Sequence, residues 1–161
     1  MPMKKNVSGP KLTLQNTVSD VEVPSMYRFK KWVSTVLSHQ AVALTIRIVD
    51  VAEIQQLNKD YRNKNKPTNV LSFPSESPDD SFWDDFLLNE PYLGDIVICA
   101  QVVRDEALQQ EKAIIAHWAH LTLHGVLHLL GYDHENDEEA RVMETKEIAL
   151  LAELGYPNPY V

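Results

Sequence analysis

Leu12 and Leu14 alternate with polar neighbours, as expected of a short strand. After a polar loop, Pro24-Ser25 introduces Phe29, Trp32, Val33, Val36 and Leu37 at helical spacing, which predicts an amphipathic helix. Leu44, Ile46 and Ile48 then alternate with Thr45 and Arg47, predicting a half-buried strand that ends at Asp50. Asp50 with Glu53 three residues on resembles a capping box, and Ile54, Leu57 and Tyr61 are expected to turn one face of the next helix into the core.

Pro67 stops that helix, because proline restricts the residue before it and donates no backbone hydrogen bond; a strand is predicted from Asn69 to Phe73. Ser75 to Pro91 is acidic, yet carries Phe82, Trp83 and Phe86, so a long surface loop or partial helix with aromatic anchors is expected. Gly94-Asp95 opens the most apolar strand, Ile96 to Ala100. Beyond it the pattern is helical: Val102 to about Gln110, Lys112 to Leu130, and Asn136 or Asp137 to Leu154, closed by Gly155. The expected class is α+β, a small four-stranded mixed sheet covered by helices, with the chemistry-bearing helix in the C-terminal third.

A chain of 161 residues is about one domain long, so residues 1–161 are read as a single unit. With 44% hydrophobic and 24% charged residues, an intrinsically disordered chain is excluded. Cys99 is the only cysteine, which excludes an internal disulfide and any metal site that takes two thiolates from this chain. It lies in the run Ile96 to Ala100 and reads as a small buried hydrophobe. Met1 to Asn6 has charge but no apolar stretch behind it, so a reducing, cytoplasmic location with no membrane contact is expected. The net charge of −8 opposes a nucleic-acid partner at first sight. Its acidic residues concentrate in Ser75 to Glu90 and Glu135 to Glu153, however, which leaves room for a local basic surface.

His124 and His128 stand at i and i+4, so their side chains leave one helix face a turn apart and can share a metal ion. Gly131 supplies a left-handed residue where the helix must stop, and Gly131-Tyr132-Asp133 can return His134 to the same spot. This is the ligand spacing of the metzincin helix H-E-x-x-H-x-x-G-x-x-H, with Gly125 where the glutamate base would stand. Three neutral imidazoles leave a fourth position open, the arrangement of a hydrolytic rather than a structural ion, and zinc is the expected metal. His120 extends the stripe and is expected behind the ligands or on the cleft wall, whereas His117 is expected on a solvated face. Gly125 reads as a site of close helix packing.

The segment His124-Gly125-Val126-Leu127-His128-Leu129-Leu130-Gly131-Tyr132-Asp133-His134 resembles the signature H-G-x-L-H-L-x-G-Y-D-H of the YbeY endoribonuclease family. The resemblance extends to Leu57 to Arg62, to Pro67 to Pro74 and to Leu93 to Ile96. Asn69 stands where many members carry Asp, so no proton-transfer role is expected there. The resemblance implies a single-strand-specific, metal-dependent endoribonuclease acting in maturation of the 3′ end of 16S rRNA and in ribosome quality control. It assigns the metal to His124, His128 and His134, and the active-site arginine to Arg62. In an otherwise acidic chain Arg62, Lys64 and Lys66 share one loop, where a guanidinium can clamp a phosphodiester and the lysines can hold its neighbours. Ser72 and His120 are candidate cleft groups.

Two other readings stay open. A metzincin-like metallopeptidase is favoured by the ligand spacing and opposed by Gly125. A ribosome-assembly factor with a structural metal suits the acidic surface, which also fits ribosomal proteins or an assembly GTPase as partners beside single-stranded rRNA and the small subunit.

Overall fold

The computed structural model describes residues 9–75 and 90–161. Strand β1 (Lys11–Asn16) leads into α1 (Met26–Leu37), then β2 (Ala43–Val49), α2 (Val51–Arg62), β3 (Val70–Pro74) and β4 (Tyr92–Cys99). Helices α3 (Ala100–Gln109), α4 (Ile114–Leu129) and α5 (Asp137–Glu153) complete the chain. The expected α+β class with a four-stranded mixed sheet is what the structure has. The strand order is β1-β2-β4-β3, with β1, β2 and β4 parallel and β3 antiparallel to β4.

Alternation along the strands decides which helix covers which face. Leu44, Ile46 and Ile48 of β2 and Ile96 and Ile98 of β4 point to the larger core, where they meet Phe29 and Trp32 of α1 and Trp118, Leu123 and Leu127 of α4. Val49, Val97 and Cys99 point to the other face and pack on Ile54 of α2 with Leu71 of β3. Strand β4 is therefore buried on both faces, the reason its sequence reads as a continuous apolar run. The same double burial encloses Cys99, as expected from its neighbours.

Helix α4 lies against the sheet with α1, α3 and α5 around it, so ten of its residues are buried. That explains its mostly apolar sequence: outside the stripe of His120, His124 and His128, which is only half-buried, little of the helix surface meets solvent. Among the described residues no helix is long and apolar enough to cross a membrane.

Local signals hold at most element ends. Ser25 accepts a hydrogen bond from Arg28 N at the start of α1, and Asn136 accepts from Glu139 N at the start of α5. At α2 the capping box is only half formed. Asp50 accepts from Glu53 N, but the Glu53 carboxylate turns away to Arg47, with a Nε to Oε2 distance of 2.8 Å. Tyr61, expected in the core, is 69% exposed: it stands on the last turn of α2, beyond Ile54 and Asn58, the buried residues of that helix, with its ring edge-on to Phe73. Strand β4 begins before Gly94-Asp95, at Tyr92, because its parallel pairing with β2 runs through Gly94. That glycine has φ +144°, and a Cβ there would overlap Phe73 O, so β4 runs beside β3 at an approach only glycine permits. The expected loop or partial helix with Phe82, Trp83 and Phe86 lies outside the described residues.

Candidate metal centre

Helix α4 ends in a turn whose hydrogen bonds follow from Gly131. With φ +104°, this glycine lets its own N–H reach His128 O at 3.0 Å and the Tyr132 N–H reach Leu127 O at 3.0 Å. Those two bonds form a Schellman motif, and Tyr132 completes it by packing against the core. The chain is thereby folded back so that His134 meets the two histidines of α4. Ring centroids are 4.6 Å apart for His124 and His128, 5.0 Å for His128 and His134, and 5.6 Å for His124 and His134. One ring nitrogen from each lies within 4.8 Å of the others. Three convergent imidazoles at this spacing fit a divalent transition metal, with no protein side chain needed in the fourth position.

The electrostatics suit such an ion. Burial, and then the charges of His124 and His134, push the His128 imidazole down to about 4, so it stays neutral well below neutrality and keeps a lone pair available. His124 Nδ1 lies 2.6 Å from Glu147 Oε2, and an ionised carboxylate can only accept, so a hydrogen bond between them takes its proton from the imidazole. Glu147 is fully buried. Burial alone would raise its carboxyl; hydrogen bonds from His120, His124 and Tyr160, together with the charge of His124, outweigh this and hold it at about 2.

Sequence reasoning missed Glu147, because the helix around it reads as acidic and solvated. The available signal was phase: Met143, Glu147, Leu150 and Leu151 follow the i, i+4, i+7, i+8 stripe of a buried face. His120, expected behind the ligands or on the cleft wall, takes the first of these places, with Nε2 2.9 Å from Glu147 Oε1. His117 is not solvated. It is 4% exposed, and its Nε2 lies 2.9 Å from Glu106 Oε1, because α3 covers the face that the helical pattern leaves open.

His124, His128 and His134 line a cavity of about 570 Å³ together with Arg62, Lys64 and Lys66. The basic loop leaves α2 through Asn63, whose left-handed φ of 60° ends the helix. It is pinned by Asn58, which is 3% exposed and donates through Nδ2 to Lys66 O at 2.9 Å. Asn58 was a second residue missed from sequence, again at a buried helical phase, four residues after Ile54. Among the described residues none of Arg62, Lys64 and Lys66 is paired with a carboxylate. Ser72 and Asn69 line the same cavity. The Ser72 hydroxyl donates to Gly125 O at 3.1 Å, and the Asn69 amide donates to Glu106 Oε1 at 3.0 Å. Gly125 itself faces away from the cavity and packs on Ile96, the close approach its position suggested.

A family model described as Endoribonuclease YbeY matches residues 13–155. Among solved structures, the solution structure of TM1509 from Thermotoga maritima is similar in fold, with 23% identity and a TM-score of 0.56, covering 90% of this chain and 88% of that one.

Proposed function

The chain belongs to the YbeY family of endoribonucleases, and from that premise we propose that it is a metal-dependent endoribonuclease specific for single-stranded RNA. Its proposed work is maturation of the 3′ end of 16S rRNA and ribosome quality control, on the small subunit in the cytoplasm. The observation that carries this reading is a shared cavity: three convergent histidines line it together with a basic loop in a protein of net charge −8.

In this reading His124, His128 and His134 hold one divalent ion, zinc in the first instance. When bound, such an ion supplies Lewis-acid stabilisation of charge on a phosphoryl oxygen. Arg62 clamps the scissile phosphodiester with its planar fork, and Lys64 and Lys66 attract the flanking phosphates. A phosphate backbone needs this local positive potential, and the acidic remainder of the surface suits ribosomal proteins or an assembly GTPase as neighbours.

The peptidase alternative loses support from Gly125. In a zincin the residue after the first histidine carries the base that activates water, but here that position points at Ile96 of the sheet and not at the cavity. The test is cleavage of single-stranded and duplex rRNA fragments by protein as purified, after chelation, and after zinc is restored. Cleavage of the single strand that is lost and regained with the metal is the expected result. Metal loss that unfolds the protein, with no cleavage by any preparation, would instead favour the assembly factor with a structural ion.

A further inference from the structure

Glu147 is completely buried on α5, a helix whose first-turn carboxylates all face solvent. Enclosing a carboxylate is unfavourable unless its oxygens are hydrogen-bonded. Three donors meet this one. Oε1 takes His120 Nε2 at 2.9 Å and the Tyr160 hydroxyl, and Oε2 takes His124 Nδ1 at 2.6 Å. The tyrosine comes from the C-terminal tail beyond α5, and its ring stands edge-on to His120 with centroids 5.4 Å apart.

Among the described residues Glu147 is the only carboxylate hydrogen-bonded to a ring of the histidine triad. Three neutral imidazoles bring no charge to a dication, so a carboxylate one hydrogen bond behind a ligand does two things. It fixes which nitrogen is protonated, and its negative charge makes the opposite nitrogen a stronger donor. Simple packing between α4 and α5 would require neither, since an apolar residue at this phase would fill the space without a buried charge.

We propose that Glu147 is the positioning residue of the metal centre, holding His124 as the Nδ1–H tautomer that offers Nε2 to the ion, and that Tyr160 of the C-terminal tail keeps Glu147 in place. This rests on the metal-centre reading given above. It makes the tail part of the centre although the hydrogen bonds of the Tyr160 hydroxyl go to Glu147 and His120 and not to the three histidines assigned to the ion.

The test compares wild type, Glu147→Gln, Tyr160→Phe and His128→Ala as full-length chains. Zn(II) affinity is measured by competition with a chromophoric chelator, histidine tautomers by long-range ¹H–¹⁵N correlation on the metal-free protein above neutral pH, and melting temperature on the same samples. The expected wild-type result is an Nδ1–H His124. Glu147→Gln should mix or reverse that tautomer and weaken Zn(II) binding by ~10–100-fold, the range seen when such partners are removed. Tyr160→Phe removes one of three donors without introducing a polar mismatch, so it should fold normally and weaken binding by a smaller factor. An Nε2–H His124 in wild type, or unchanged affinity in both Glu147→Gln and Tyr160→Phe, overturns the proposal. If wild type binds Zn(II) no better than His128→Ala, the metal-centre reading itself fails and the proposal falls with it. That outcome is distinct from a wild type that binds tightly with an indifferent Glu147.

Discussion

Gly125 lies directly against Ile96: a Cβ placed on the glycine would fall 2.9 Å from Ile96 Cγ2. The methyl belongs to a β-branched side chain on the doubly buried β4 and has little room to move. Gly125→Ala should therefore destabilise the protein. Overpacking costs ~1–3 kcal/mol, while alanine in a helix recovers ~1 kcal/mol, leaving a net loss on the order of 1 kcal/mol. Thermal melts of the metal-free protein check this, and a raised melting temperature would show that β4 yields more easily than its packing implies. Gly125→Glu, the metzincin-like substitution, should unfold the protein rather than confer peptidase activity.

The two outer histidines of the α4 stripe should separate cleanly. His128→Ala is expected to abolish binding of the single equivalent of transition metal while leaving the fold intact, since its ring already faces the cavity. His117→Ala should retain the metal but lower stability by ~1–3 kcal/mol, because the ring is buried and one of Glu106's hydrogen-bond partners is lost. Elemental analysis and urea unfolding on both variants decide the matter; loss of metal from His117→Ala would place that residue nearer the ion than its Glu106 contact allows.

The legibility of this chain follows from how far each signal reaches. Alternation in Leu44 to Ile48 and the helical stripe from Phe29 to Leu37 are local patterns, and both elements form where those patterns lie. The convergence of His124, His128 and His134 was legible for the same reason, since i, i+4 and a glycine turn are fixed within eleven residues of backbone geometry. Glu147, Asn58 and His117 were misread or missed because each is defined by a partner elsewhere: Glu147 by α4, Asn58 by the returning loop, His117 by Glu106 of α3. In all three a polar residue occupies a buried helical phase. Sequence shows that conflict but not how it is resolved.

Acid should expose the contribution of Glu106. Burial pushes its carboxyl up, but hydrogen bonds from His117 and Asn69 outweigh this and hold it below its ordinary value of 4.5. In that situation the unfolded chain takes up the proton first, so the stability is present above pH ~4.5 and is lost as pH falls through the lowered value. Glu106→Gln should therefore be less stable than wild type near neutrality, with the difference shrinking as pH drops below ~4.5. Urea midpoints measured from pH 7 to pH 3 on metal-free protein test this. A constant difference across that range would mean the hydrogen bonds matter and the charge does not.

Arg62 gives the sharpest separation of enzyme from binding protein, because it lines the cavity with the histidines yet makes no bond that holds the fold together among the described residues. Arg62→Ala should keep its metal and its melting temperature, as expected for an exposed residue at a helix end. If the guanidinium acts on the phosphate where charge develops, its loss removes an interaction stronger in the transition state than in the ground state. Turnover on single-stranded rRNA should then fall by ~100-fold or more. Arg62→Lys should recover only part of that loss, since a point charge cannot reproduce the two parallel N–H donors of the fork. Lys64→Ala and Lys66→Ala should act differently, weakening RNA binding and its salt dependence while kcat changes little, because attraction of flanking phosphates is shared by ground and transition states. Single-turnover cleavage and salt-dependent binding on the four variants measure both quantities. Equal rates for Arg62→Ala and wild type would remove the clamp from the mechanism, and a kcat loss in the lysine variants as large as that of Arg62→Ala would spread the role over the whole loop.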